Sequence, residues 1–277
     1  MRISTMLFPY QAALQAGEYS VAELLAVLRA AGMQGLELAW EGIKQNQALF
    51  REILLAARAE QLQFPCLDVR ASMASGDEQE NLRVLENCRQ AFTFCRDELD
   101  CPIALLYGSA PPAGMSNQEG RRHYGEMLAR CAELAADFGV TVCIEDFGVT
   151  PTFTAASKDC LEVIRNSRHQ AVKFNFDNGN FLLADECPLD ALEAVKDLIC
   201  HVHLKDMCRH VPNEQQRGLR SASGICYRSC PLGEGEGEVI SCLQRLRELG
   251  YTGWLSSESG NTPATGAAAV RFIAQNC

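Results

Sequence analysis

The chain has 277 residues, of which 47% are apolar and 22% charged, and a net charge of −10. Those proportions are ordinary for a packed globular protein, and the length suits one large α/β barrel or two small domains. The acidic balance argues against a surface built to grip a phosphate backbone, which needs a basic face.

No stretch is long and apolar enough to read as a membrane span, and the opening MRISTMLFPY lacks the basic, apolar and small-residue order of a secretory leader. The expectation is a soluble, cytoplasmic protein. Fourteen cysteines are spread over the chain without a CxxC pair, which predicts reduced thiols packed in the core rather than disulfides or a zinc clip.

Taken in chain order, short β-branched or apolar runs alternate with amphipathic stretches of helical period. RISTML (2–7) reads as the first strand, and a helix over 20–31 follows it. In SVAE, Ser20 is placed to cap that helix and Glu23 to reach back to the Ser20 N–H. GLELAW (35–40) and a helix over 47–61 come next, then FPCLDVR (64–70) with a helix over 78–98 and PIALLYG (102–108) with a helix over 118–138.

The second half repeats the syntax with VTVCIEDF (140–147), AVKFNFD (171–177), ICHVHLKD (199–206) and GWLSSES (253–259). Their helices are predicted over 156–167, 188–197, 237–249 and 263–275. Gly32, Gly139 and Gly250 each stand where a helix ends shortly before a strand, a position that favours the left-handed backbone.

Eight strand and helix repeats predict an α/β fold of the (β/α)8 TIM-barrel type, filling residues 1–277 as one domain. An open doubly wound sheet is the rival, but the first turn carries no GxGxxG and so no sign of a dinucleotide site. The connection over 207–233 is unusually long. In a barrel it would cover the C-terminal mouth, and it holds Arg209, Arg217, Arg220 and Arg228 against Glu214 alone.

Strand ends are where a barrel builds its chemistry. Glu145 in CIEDFG, Asp177 in NFDNGN, His203 in HVHLKD and Glu258 in SSESG fall at the ends of strands five to eight, contiguous around half the barrel. Alternation puts His201, His203 and Lys205 on one face, with His203 nearer the mouth and His201 a packed residue or a partner of the site. A lone acid at a strand end is more often a helix cap, but three acids converging on an imidazole are costly to bury without a cation. Such a donor set suits Mn2+, Mg2+, Co2+ or Zn2+.

IEDFG, FDNGN, HVHLKD, PLGEGEGEV (231–239) and GYTGWLSSES (250–259) resemble, in order and spacing, the sugar phosphate isomerase/epimerase group on the xylose isomerase-like TIM barrel. The resemblance implies that Glu145, Asp177, His203 and Glu258 hold a divalent metal ion, and that Glu145 and Glu258 also serve as the acid/base pair. It implies a substrate contact for Arg209, six residues after the ligand histidine. Many members have a histidine where this chain has Asn180, which can bind a hydroxyl but cannot shuttle a proton at neutral pH. Lys205 and Arg70 are further candidates for substrate binding. Glu234 and Glu236 are expected to shape the turn into the next helix.

The expected function is a metal-dependent isomerase or epimerase of a small carbohydrate, sugar phosphate or keto acid, acting through an enediolate without nucleic acid or membrane; a homo-oligomer is open. A dehydratase or lyase on the same barrel is the alternative, followed by a non-catalytic sugar-binding barrel. A multi-zinc DNA-repair endonuclease would need more than the five histidines present.

Overall fold

The computed structural model describes residues 1–211 and 218–277. In chain order its strands are β1 (Arg2–Met6), β2 (Gly35–Ala39), β3 (Leu67–Arg70), β4 (Ile103–Tyr107), β5 (Thr141–Glu145), β6 (Lys173–Asp177), β7 (Ile199–Leu204), β8 (Asp206–Arg209), β9 (Leu219–Arg220), β10 (Cys226–Cys230) and β11 (Trp254–Ser257). Eight of them, β1 to β7 and β11, close into a parallel barrel, with β11 between β7 and β1. These are the eight predicted strands, each somewhat shorter than its sequence run.

The helices are α1 (Gln11–Ala16), α2 (Val21–Ala30), α3 (Trp40–Gln45), α4 (Gln47–Ala59), α5 (Glu78–Phe94), α6 (Asn117–Ala136), α7 (Ser157–Ser167), α8 (Pro188–Val195), α9 (Val239–Glu248) and α10 (Pro263–Asn276). The longer ones pack an apolar stripe against the outward side chains of the strands. Leu24, Leu28, Ile53, Phe92, Leu128, Val163, Leu243 and Val270 meet Leu36, Val69, Leu106, Ile144 and Phe176 in one continuous buried cluster. Strands covered on both faces are apolar almost throughout, as IALLY in β4 shows.

Local chemistry sets the helix ends. Gly32, Gly139 and Gly250 hold φ of +113°, +69° and +73° at the predicted stops. The Ser20 side chain accepts the Glu23 N–H at 3.1 Å, as expected, but the capping box forms at α10 instead, where Thr262 and Thr265 exchange both bonds. The helix predicted over 78–98 ends as α5 at Phe94 and continues as a π-helical turn, Cys95–Leu99. The fourteen cysteines are free thiols, most of them buried. Among the described residues no helix is long and apolar enough to cross a membrane.

The largest departure from the sequence reading is the connection after β7. Its described parts are not an open loop but a three-stranded antiparallel sheet, β8–β10–β9. DMCR, LR and CYRSC are short, rich in cysteine and arginine, and show no apolar alternation that would have revealed strands. The sheet docks on the segment after β6, where Met207 and Tyr227 pack on Leu182 and Leu183 and the Ala222 N–H donates to the Leu183 carbonyl at 2.8 Å. Arg217 and Glu214 lie outside the described residues.

Candidate active site

Register brings the strand-end residues together. β6 pairs with β7 so that Asp177 lies beside His203, and β7 pairs with β11 so that His203 lies beside Ser256, two residues before Glu258. Glu145 closes β5, and the Glu258 N–H donates to the Leu204 carbonyl at 2.9 Å. All four sequence-predicted metal residues therefore share the C-terminal end of the barrel.

His203 is oriented from below. Its Nε2 lies 2.8 Å from Glu37 Oε1, which as an ionised carboxylate oxygen can only accept, so Nε2 carries the proton. Its Nδ1 is buried without a hydrogen-bond partner and sits 3.6 Å from Glu145 Oε2. Donor atoms of Glu145, Asp177 and His203 lie within 4.8 Å of one another. An ion at about 2.0–2.3 Å from each donor spans that separation, so an orphaned imidazole nitrogen between two carboxylates fits a divalent metal.

Glu258 stands outside that group of three. Lys205 reaches between the acids, its Nζ 2.9 Å from Asp177 Oδ2 and 2.8 Å from Glu258 Oε2. Gly179 makes room for this, since a Cβ there would come within 2.3 Å of Lys205 Cγ. Asn180 donates from Nδ2 to Asp177 Oδ2 at 2.9 Å, and the Gly179 N–H donates to Asp177 Oδ1 at 3.1 Å. Asn180 thus orients the carboxylate of its own turn.

Burial dominates the electrostatics. It pushes the Asp177 carboxyl up to about 7, with Lys205 opposing and Glu258 and Glu145 adding to the rise. Glu258 is also desolvated, but the ammonium of Lys205, with His203 behind it, brings its carboxyl below the usual value. Lys205 is held charged: burial works against the ammonium and Asp177, Glu258 and Glu145 outweigh it.

A second acidic layer lies beneath, and sequence reasoning did not single it out. Glu37 is fully buried and takes His201 Nε2 on Oε2 at 2.9 Å as well as His203 on Oε1. Burial opposes its ionisation, but His203 and His201 together hold it well below the usual range. Asp68, also buried, is driven well above that range by desolvation and by the charge on Glu37. Asp146 accepts the Asp177 N–H at 3.2 Å. The signal for Glu37 was present in GLELAW: an acid in mid-strand between Leu36 and Leu38, both of which pack outward.

The arginines do not join this cluster. Arg209, at the end of β8, has a side chain 66% exposed and pairs with Glu236 at 3.1 Å. Arg70 ends β3 with its stem against Gly108, and its N–H donates to Glu41 Oε2 at 3.1 Å. The glycines of the GEGEG stretch serve Asp206, whose carboxylate accepts the N–H groups of Met207 at 3.0 Å, Gly233 at 2.9 Å, Gly235 at 3.0 Å and Gly237 at 2.8 Å. A Cβ on Gly235 would fall 2.3 Å from Asp206 Oδ1. The backbone rather than Glu234 and Glu236 explains the motif.

A parallel eight-stranded barrel with acids and an imidazole at its C-terminal mouth defines a class, and the family follows from the sequence match. The family model described as the xylose isomerase-like TIM barrel matches residues 25–275, so the chain belongs to that family. Inosose dehydratase of Lacticaseibacillus casei is 26% identical over 139 residues, 50% of this chain and 46% of that one. The chain spans about half the length of the inosose dehydratases it matches. L-ribulose-5-phosphate 3-epimerase UlaE of Escherichia coli is 26% identical over 214 residues, 74% of this chain and 68% of that protein. In fold, the crystal structure of the probable 3-DHS dehydratase AsbF from Bacillus anthracis superposes with a TM-score of 0.74 over 99% of both chains at 18% identity.

Proposed function

We propose that residues 1–277 act as one barrel domain, a cytoplasmic, divalent-metal-dependent isomerase or epimerase of a sugar, sugar phosphate or keto acid. Glu145, Asp177, His203 and Glu258 are the proposed metal residues. The observation that carries this reading is the buried His203 Nδ1, without a hydrogen bond and facing Glu145 and Asp177. When bound, a divalent ion would polarise a substrate carbonyl and offset the negative charge of an enediolate.

The chain's own residues supply the proton transfers. Glu145 and Glu258 enter from β5 and from the end of β11, with β6 and β7 between them. They can therefore address a bound substrate from two sides, one carboxylate removing a proton next to the carbonyl and the other returning it. Return to the same carbon epimerises, and return to the neighbouring carbon isomerises. Lys205 and Asn180 bind substrate oxygen atoms in this reading, and Arg209 and Arg70 contact it from the rim.

A dehydratase is the second reading, and Lys205 favours it. Its ammonium lies 2.8 Å from Glu258, where it can protonate a departing β-hydroxyl after the same first proton removal. Deuterium exchange followed by NMR across ketoses, keto acids and inososes with Mn2+ separates the two. Exchange without elimination supports the isomerase or epimerase. Elimination of water supports the dehydratase, and no exchange with any compound leaves a binding protein.

A further inference from the structure

We infer that Glu37 is a positioning residue for the metal centre: by accepting the Nε2 protons of both His201 and His203, it fixes the tautomer that leaves the His203 Nδ1 lone pair facing Glu145 and Asp177. The inference rests on the metal-site reading above.

Two observations carry it. Glu37 rises from β2, three strands round the barrel from β7 by way of β1 and β11, so it meets the histidines across the interior rather than along a neighbouring ladder. Its two oxygens are divided, Oε1 to His203 at 2.8 Å and Oε2 to His201 at 2.9 Å, with the two rings edge to face at 85°.

An imidazole has one proton to place when neutral. If nothing accepts it at Nε2, it can move to Nδ1, where it removes the lone pair a metal needs. Carboxylates that hold a ligand histidine in this way are worth roughly 10–100-fold in metal affinity.

Glutamine makes the test sharp because its amide accepts through one atom only. In Glu37→Gln, two Nε2–H donors compete for one carbonyl, and the amide N–H2 favours the wrong tautomer in the loser. Mn2+ affinity, measured by titration calorimetry, should fall about 10–100-fold in a variant whose single cooperative thermal transition shows that it is folded. Adding His201→Phe removes the competitor and lets the substituted amide turn its carbonyl to His203, so the double variant should recover most of the loss.

A purely structural role for Glu37 predicts no such rescue. Equal Mn2+ affinity in wild type and Glu37→Gln overturns the inference, and so does a loss that the double variant fails to recover. Nitrogen-15 NMR of the Zn2+-loaded wild type needs no variant to fold: ligation through His203 Nδ1 with the proton kept on Nε2 supports the inference, and ligation through Nε2 overturns it. Wild type that binds neither ion overturns the metal-site reading and this inference together, whereas wild-type binding with an unaffected Glu37→Gln variant overturns the inference alone.

Discussion

Asp177 and Asp206 are both buried, lie within one barrel mouth, and are solvated in opposite ways. Asp206 is surrounded by four backbone N–H groups, from Met207, Gly233, Gly235 and Gly237, all aimed at its two oxygens. Asp177 shares its surroundings with Glu145 and Glu258 and depends on one side-chain cation, Lys205, for charge balance. Fixed dipoles that satisfy every lone pair make a structural anchor. Acids crowded on one another and balanced by a side chain that can move make a site, since their repulsion is relieved when a cation arrives.

Removing each aspartate should separate the two roles. The larger loss of stability belongs to Asp206→Ala, which strands four buried N–H groups and unties the GEGEG turn from the end of β7. About 4 kcal/mol is expected, as for a broken buried charge pair, read as a large fall in urea midpoint with the Mn2+ affinity of the folded protein little changed. A midpoint equal to wild type would show that the glycine turn holds itself.

Asp177→Asn should do the reverse. The amide keeps the bond to the Gly179 N–H but gives up a charge that Glu145 and Glu258 repel, so the metal-free protein loses less than about 1 kcal/mol. Mn2+ affinity should fall more than about 100-fold, or about 2.7 kcal/mol. Tight Mn2+ binding in this variant would move the metal away from the β6 end and dissolve the contrast with Asp206.

The barrel was legible because each of its eight strands packs an outward apolar set under the helices, so every one carries buried apolar residues between helices of clear period. The candidate site was legible to the extent that it lies toward strand ends: Glu145, Asp177, His203 and Glu258 stand out near the close of their strand runs. What lies in mid-strand was harder. Glu37 and Asp68 look like interruptions of a strand, and only the closure of the barrel shows that β2 faces β7 across the interior. Asp206 and the glycines near 233–237 are more than twenty residues apart, and a carboxylate held by backbone N–H groups leaves no side-chain pattern beyond the glycines themselves. The sheet β8–β10–β9 was missed because its strands bury little and gain their order from docking on Leu182 and Leu183.

The smallest expected effect is also the most direct reading of the contrast, because pH acts on Asp177 through its raised pKa of about 7. The unfolded chain releases that proton near 3.9, so the folded, metal-free protein binds it more tightly than the unfolded one. Its contribution to stability is fully present below about pH 4 and is lost as pH rises through about 7. With a chelator present, this group therefore makes the barrel less stable between pH 5 and 8. Metal binding has the opposite sign, since the ion must displace the proton. One unit below the pKa, about nine-tenths of the Asp177 carboxyl is protonated, so Mn2+ affinity at pH 6 should be roughly tenfold weaker than at pH 8, or about 1.4 kcal/mol. His203 adds in the same direction, because Glu37, Glu145 and Asp68 outweigh its desolvation and raise its pKa. In Asp177→Asn the part due to Asp177 disappears, leaving a shallower slope from His203. An Mn2+ affinity flat from pH 6 to 8 in wild type would mean that the acids at the mouth are already as well solvated as Asp206, and that the pairing with Lys205 is a structural tie rather than a placeholder for the metal.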